Sequence, residues 1–187
     1  LRAVARVFVI TGPSGVGKGT LIRGLIERID GLELSVSATT RAPRPGESDG
    51  VDYHFLTREE FDRRVAAGDF VEQADYAGRS YGTLRSELED RVAAGVPVVL
   101  EIEVQGARQV RAAMPEAVQV FIAPPSLEAL RTRLIGRGTD DAGEVERRLK
   151  VAEQELTAQP EFGHVVINDR LDDALDALTA IVAGELG

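Results

Sequence analysis

Cysteine is absent from this 187-residue chain, which excludes a disulfide framework and a thiolate metal site. Histidine is nearly absent: His54 and His164 are the only two, so a histidine-rich zinc centre is not expected and both read as structural. Lysine is scarce as well. Of 22 basic residues only Lys18 and Lys150 are lysines, against 20 arginines. Long hydrophobic runs are missing too. None approaches the ~20 residues of a membrane-spanning helix, and no charged-then-apolar leader stands at the start. A soluble, cytoplasmic protein with no membrane partner is expected. Because the chain starts at Leu1 rather than methionine, a few native residues are expected to be missing before it.

What is present fits one domain-sized unit, since 43% hydrophobic residues over 187 positions suffice to bury a core. A formal net charge of −9 repels long nucleic acid. The arginines are nevertheless clustered, at positions 41 and 44, at 131, 133 and 137, and at 147 and 148. That pattern suits small anionic ligands held in a cleft, although any single arginine reads equally as part of a solvated helix face.

Short β-branched runs alternate with helical patterns, which predicts an α/β fold with a mostly parallel five-stranded sheet flanked by helices. Strands are expected at about 6–11, 34–38, 97–102, 118–122 and 164–167, and helices at about 18–29, 84–94, 104–113, 126–136, 144–158 and 171–184. The stretch before Pro97 differs in character. It holds all three tyrosines (Tyr53, Tyr76 and Tyr81), a Pro/Gly-rich loop at 42–50 and a capping-box helix start at Thr57-Arg-Glu-Glu60. Residues 37–84 read as a smaller antiparallel insertion beside the core, and 136–143 as a mobile, glycine-rich loop that breaks a helical run.

The most informative segment is Gly12-Pro13-Ser14-Gly15-Val16-Gly17-Lys18-Gly19-Thr20. It follows the apolar strand pattern at 6–11 and opens the helical pattern from Leu21. A strand that turns through glycines into a helix aims several backbone N–H groups at one spot. The helix N-terminus adds partial positive charge there and the Lys18 ammonium a full one, so the segment is suited to cradle nucleotide β- and γ-phosphates. A glycine-rich turn without a ligand is the bland alternative, weakened by the flanking strand and helix. In so arginine-biased a chain, a lysine here marks a place where a compact ammonium serves and a planar guanidinium does not.

Further blocks follow in order: Ser35-Val-Ser-Ala-Thr-Thr-Arg-Ala-Pro-Arg-Pro-Gly-Glu47, Gly50-Val-Asp-Tyr-His-Phe55, Phe70-Val-Glu72, Tyr81-Gly-Thr83, Leu100-Glu-Ile-Glu-Val-Gln-Gly106, Phe121-Ile-Ala-Pro-Pro-Ser126, Arg137-Gly-Thr139 and Val166-Ile-Asn168. Over nearly its whole length the chain resembles the guanylate kinases. The resemblance implies a P-loop core (1–36, 85–126 and 147–187), a GMP-binding insertion (37–84) and a lid (127–146). It also implies phosphoryl transfer from ATP, with Mg²⁺, to GMP, with dGMP use left open. Two positions depart from the family pattern. Gly19 stands where many phosphate loops carry a metal-binding Ser or Thr, leaving Thr20 as the candidate, and Glu103 stands where aspartate is common.

By the same resemblance, Lys18 with the loop and Arg133, Arg137 and Arg148 serve the ATP phosphates, and Asn168 contacts adenine. Arg41 and Arg44, stiffened by Pro43 and Pro45, hold the GMP phosphate with the hydroxyls of Tyr53 and Tyr81. Glu72 is the guanine-reading carboxylate, since one carboxylate accepts both the N1–H and the N2–H₂ of guanine. Ser37 and Thr83 would donate to O6. Glu101 belongs to the GMP side, and Glu103 is a candidate for GMP or metal. These two alternate along one strand, so both reach the cleft only if the backbone bends at the strand end. Against catalysis by Arg148 stands an ordinary helix pair with Glu144. A kinase for another nucleoside monophosphate and a phosphopeptide-binding module remain as rivals, the latter disfavoured by the complete Gly12–Thr20 loop. A GTP-hydrolysing switch lacks the Asn-Lys-x-Asp block that reads guanine. Oligomeric state is left open.

Overall fold

The computed structural model describes residues 6–136, 138 and 141–187. In chain order its elements are β1 (Val7–Thr11), α1 (Lys18–Arg28), β2 (Glu33–Leu34), β3 (Ala38–Thr39), β4 (His54–Phe55), α2 (Arg58–Ala67), β5 (Phe70–Tyr76), β6 (Arg79–Leu84), α3 (Arg85–Ala93), β7 (Val98–Glu101), α4 (Val104–Ala113), β8 (Val118–Ala123), α5 (Leu127–Gly136), α6 (Ala142–Leu156), β9 (His164–Ile167) and α7 (Leu171–Leu186). None of the described helices is long and apolar enough to cross a membrane.

Five strands form a wholly parallel sheet in the order β2-β7-β1-β8-β9. Strand β1 is buried at all five positions, as expected of a strand covered on both faces. Its side chains alternate between two apolar layers. Phe8 and Ile10 join Ile22 and Leu25 of α1 and Leu178 of α7, whereas Val7 and Val9 join Leu88 of α3, Val110 of α4 and Phe162. The sheet is therefore clamped between helices, and its strand ends can carry loops without losing register.

A second sheet has the order β4-β3-β6-β5. It is antiparallel except for the two-residue parallel pair of β3 with β4. The single strand expected at 34–38 is in fact two strands in different sheets. Ser35 N–H still bonds Val99 O of the core sheet at 2.9 Å, while Ser37 O already accepts from His54 N at 2.8 Å in the second. A run of five extended residues cannot announce that it changes partners halfway. Glu87 of α3 pins the crossing, accepting from Val36 N and contacting His54 Nε2, each at 3.1 Å. Thr57 caps α2 by accepting from Glu60 N at 3.1 Å, the geometry the capping box predicts.

Strand β5 carries a bulge between Phe70 and Glu72, where the pairing shifts from Phe70↔Leu84 to Glu72↔Thr83. The extra residue breaks strict alternation, so two consecutive side chains are both buried. Val71 enters the core layer under α4, and Glu72 turns into the cleft described next.

Candidate active site

One cleft of about 650 Å³ lies beside the C-terminal ends of β1 and β7 and reaches the second sheet. Lys18 and Gly15 line it at one end, and Tyr53, Tyr81 and Glu72 at the other. The C-terminal edge of a parallel sheet is where connecting loops and helix N-termini converge, which is why ligands gather there.

At the loop end, Gly17 is the N-cap of α1 with φ 98°, a left-handed conformation that costs a residue with a Cβ strain. No side chain caps this helix, and its first turn has no acidic residue. The first N–H groups and the dipole are thus left to an outside anion. Lys18 is buried and its Nζ donates to Gly12 O, so the ammonium is folded back across the loop it belongs to. The Ser14 hydroxyl accepts from Arg148 Nη2 at 2.6 Å, which brings α6 onto the loop. Glu144 pairs with Arg147 one turn along the same helix. Arg133 Nη2 donates to Asn168 O at 2.7 Å and Asp169 O at 3.3 Å. The Asn168 side chain donates to Val16 O at 2.8 Å and buttresses the loop from beneath. Arg137 lies outside the described residues, as do Thr139 and Asp140.

At the other end, Glu72 is 6% exposed and accepts from the Thr83 hydroxyl at 2.7 Å. Burial pushes its carboxyl above the usual range, opposed by the side-chain and backbone bonds from Thr83. A hydroxyl has one proton, and here Thr83 gives it to Glu72 rather than leaving it for a ligand oxygen. Thr83 therefore holds the carboxylate, while Ser37 lines the cleft. Gly106 of α4 makes room for the same group, because a Cβ there would sit 2.8 Å from Glu72 Oε2.

Arg41 does not itself line the cleft but sits beside Tyr53, which does, with its guanidinium carbon 5.1 Å from the ring centre. Both of its terminal nitrogens bond Glu47, at 2.9 Å each. Arg44 contributes its backbone N–H to the same carboxylate at 2.7 Å and keeps an exposed side chain. Hydrogen bonds from Arg41 and the Arg44 backbone hold Glu47 down at about 2. Sequence reasoning gave Glu47 no role, although it closes the block that contains both arginines.

Strand β7 stops at Glu101, and Glu103 becomes the N-cap of α4 in an extended conformation. The bend lets both carboxylates line the cleft, as the strand-end argument required. Glu155 of α6 was missed entirely. Burial, then a hydrogen bond and repulsion from Glu103, push its carboxyl up to about 8, with Lys18 pulling the other way. No local pattern links Glu103 to a residue on so distant a helix.

Together these parts form a cationic cradle of amides and an ammonium, an arginine clamped by a carboxylate beside Tyr53, and a buried acid in the same cleft as the cradle. Their order along the chain also matches known proteins. A family model described as guanylate kinase covers residues 4–185. Guanylate kinases of Synechococcus sp. (strain CC9311) and of Frankia casuarinae are each 54% identical over 176 residues, 94% of this chain and 93% and 96% of theirs. The guanylate kinase of Mycobacterium bovis is 50% identical over 97% of this chain and 88% of its own. A crystal structure of guanylate kinase from Anaplasma phagocytophilum superposes with a TM-score of 0.78 at 36% identity, covering 100% of this chain and 88% of that one. With a matching family model over almost its full length and relatives at half identity or more, the chain belongs to the guanylate kinase family.

Proposed function

We propose that the chain transfers the γ-phosphoryl group of ATP to GMP, giving ADP and GDP, as a cytoplasmic enzyme of purine nucleotide metabolism. The observation that carries this reading is that Lys18 and Glu72 line one cleft. A phosphate-binding loop and a guanine-selective acid facing the same space are what direct transfer between two nucleotides requires.

In this reading the Gly12–Thr20 loop, the N-terminus of α1 and Lys18 hold the ATP phosphates. Lys18 exchanges Gly12 O for a phosphate oxygen without leaving its place. Arg41 and Arg44 take the GMP phosphate, with Tyr53 and Tyr81 beside it. For Arg41 this means trading a carboxylate partner for a phosphate of similar geometry, so the guanidinium is already oriented when GMP arrives. Glu72 accepts from guanine N1–H and N2–H₂. Adenine offers an acceptor at N1 and no 2-amino group, which leaves the buried carboxylate unpaired, a mismatch that costs about 10⁴–10⁵ in selectivity in a site built for the missing groups. A GMP phosphate oxygen then attacks the γ-phosphorus in line as its bond to the bridging oxygen breaks. Lys18 and the arginines Arg133, Arg137 and Arg148 neutralise the charge spread over the moving group.

Mg²⁺ enters with ATP. The oxygen donors beside Lys18 in the cleft, Thr20, Glu101 and Glu103, are the hard ligands this ion prefers, and no group of three or more His, Cys, Asp or Glu side chains that could hold a metal occurs among the described residues. That donor set fits an ion held chiefly by nucleotide phosphates with one or two carboxylates. The ion supplies charge neutralisation at the phosphates when bound.

Residues 37–84 act as the GMP-binding insertion and 127–146 as a lid, against a core of 1–36, 85–126 and 147–187. Both close on substrate and exclude water. The test is a coupled assay with ATP against GMP, dGMP, IMP, AMP, CMP and UMP. GMP should be preferred over AMP by several orders of magnitude, and comparable rates with AMP would overturn the proposal.

A further inference from the structure

Strand β5 is the edge of the second sheet, so its outer side has no strand partner among the described residues. At Gln73, the residue after Glu72, that edge is completed by one side chain from the core. Gln109 of α4 accepts from Gln73 N at 3.0 Å through Oε1 and donates to Gln73 O at 2.9 Å through Nε2. A carboxamide offers one acceptor and two donors on a rigid plane, so it can reproduce the pair of bonds a further strand would make. No other natural side chain of that length matches both groups with their present polarity. A carboxylate lacks the donor, and an ammonium lacks the acceptor.

The position along α4 matters as much as the chemistry. Gly106 lies one helical turn before Gln109, on the same face, and is the residue whose missing side chain leaves room for the Glu72 carboxylate. One helix face thus provides both a recess for the carboxylate and a clamp for the peptide next to it. Thr83 fixes the carboxylate from the β6 side. The bulge lies between Phe70 and Glu72, so regular pairing with β6 resumes only at Glu72, and Gln109 clasps the very next residue from the outer side.

We infer that Gln109 is a positioning residue for guanine selection, acting through Glu72; the inference rests on the reading of Glu72 as the guanine-binding acid. Gln109 does not touch the nucleotide. It fixes the peptide from which the carboxylate is aimed, and it ties that peptide to the core helix whose N-cap, Glu103, lines the same cleft.

The experiment is a double-mutant cycle on the full chain, measuring kcat/KM for GMP and for IMP, which keeps N1–H but lacks the 2-amino group. Gln109→Leu removes both bonds, and Gln109→Glu keeps the shape but not the donor. Melting curves check that each variant is folded. Gln109→Leu is expected to lower kcat/KM for GMP by about ten- to a hundredfold, to narrow the GMP:IMP preference by about tenfold and to leave KM for ATP unchanged. Gln109→Glu should fall between Gln109→Leu and the parent. In a Glu72→Gln background, Gln109→Leu should narrow the preference no further, because a residue that acts through another has nothing left to position. If Glu72→Gln collapses the preference while neither Gln109 variant alters it, the clamp is overturned and the reading of Glu72 stands. Equal effects of Gln109→Leu in both backgrounds also overturn it. If Glu72→Gln itself leaves the preference intact, the reading of Glu72 fails and the inference falls with it.

Discussion

Gly106→Ala is the smallest change that should injure guanine recognition without touching the fold. The added Cβ would lie 2.8 Å from Glu72 Oε2 and 3.4 Å from Glu72 Cδ, with Ile102 Cβ also at 3.4 Å. Ordinary contact begins near 3.4 Å, so the carboxylate has to retreat by about 0.6 Å, the difference from 2.8 Å. It has little freedom to do so, being 6% exposed and held by Thr83 at 2.7 Å. In the proposed reading Glu72 makes two charge-assisted bonds to guanine, each worth about 1.5–3 kcal/mol, and losing roughly half of the combined strength costs about 1.5–3 kcal/mol. At 1.4 kcal/mol per factor of ten, kcat/KM for GMP should fall by about 10- to 150-fold. Stability should move the other way or not at all, because alanine is favoured over glycine inside a helix by about 1 kcal/mol, which offsets the local crowding. The assay is a coupled measurement of kcat/KM for GMP and IMP alongside a thermal melt. A variant that melts like the parent and keeps a GMP:IMP ratio within about twofold of it would refute the argument that Gly106 is there to seat the carboxylate.

Other substitutions probe the remaining groups. Thr83→Val removes a bond that favours the ionised form of Glu72, so the carboxyl should titrate still higher and the acid limb of the kcat/KM profile for GMP should move to higher pH; an unmoved limb would contradict the assignment. Lys18→Met should lower kcat by about 10²–10³ while GMP binding measured by calorimetry changes little, and an equal loss of GMP affinity would speak against a donor-side role. Glu155 has a folded-state pKa near 8 against an ordinary 4.5 and so binds its proton more tightly when folded. Its contribution is full below pH 4.5 and is lost as pH rises towards 8, so melting temperatures of the nucleotide-free protein should decline across that window less steeply for Glu155→Gln than for the parent. Small-angle scattering with both nucleotides bound should show a more compact particle than the free chain, and unchanged dimensions would count against substrate-driven closure.

Much of the core could be read from the sequence because its physics is local. A buried parallel strand is a nearly continuous apolar run rich in β-branched residues, and Val7–Thr11 and Val118–Ala123, the latter interrupted only by Gln119, fit that pattern. The phosphate loop is legible for the same reason, since its glycines, its lysine and the start of α1 are contiguous. The second sheet resists such reading. Two of its strands are two residues long, too short for a period, and the bulge at β5 breaks the alternation that would have located the face of Glu72. Long-range pairings are hidden altogether. Thr83 was expected to face a ligand oxygen, but cross-strand register gives its proton to Glu72. Glu47, Gln109 and Glu155 each act on a partner that no spacing rule connects to them, and only the folded chain brings them together.

In the proposed reading both nucleotides sit in one cleft with their phosphates end to end. A compound joining adenosine and guanosine through five phosphates probes that arrangement, titrated into the protein by calorimetry and used as an inhibitor in steady-state assays. One molecule should bind per chain, competitively with both ATP and GMP, and both Lys18→Met and Glu72→Gln should weaken it. Competition with one nucleotide only, or two molecules bound per chain, would mean that the two nucleotides do not share the cleft.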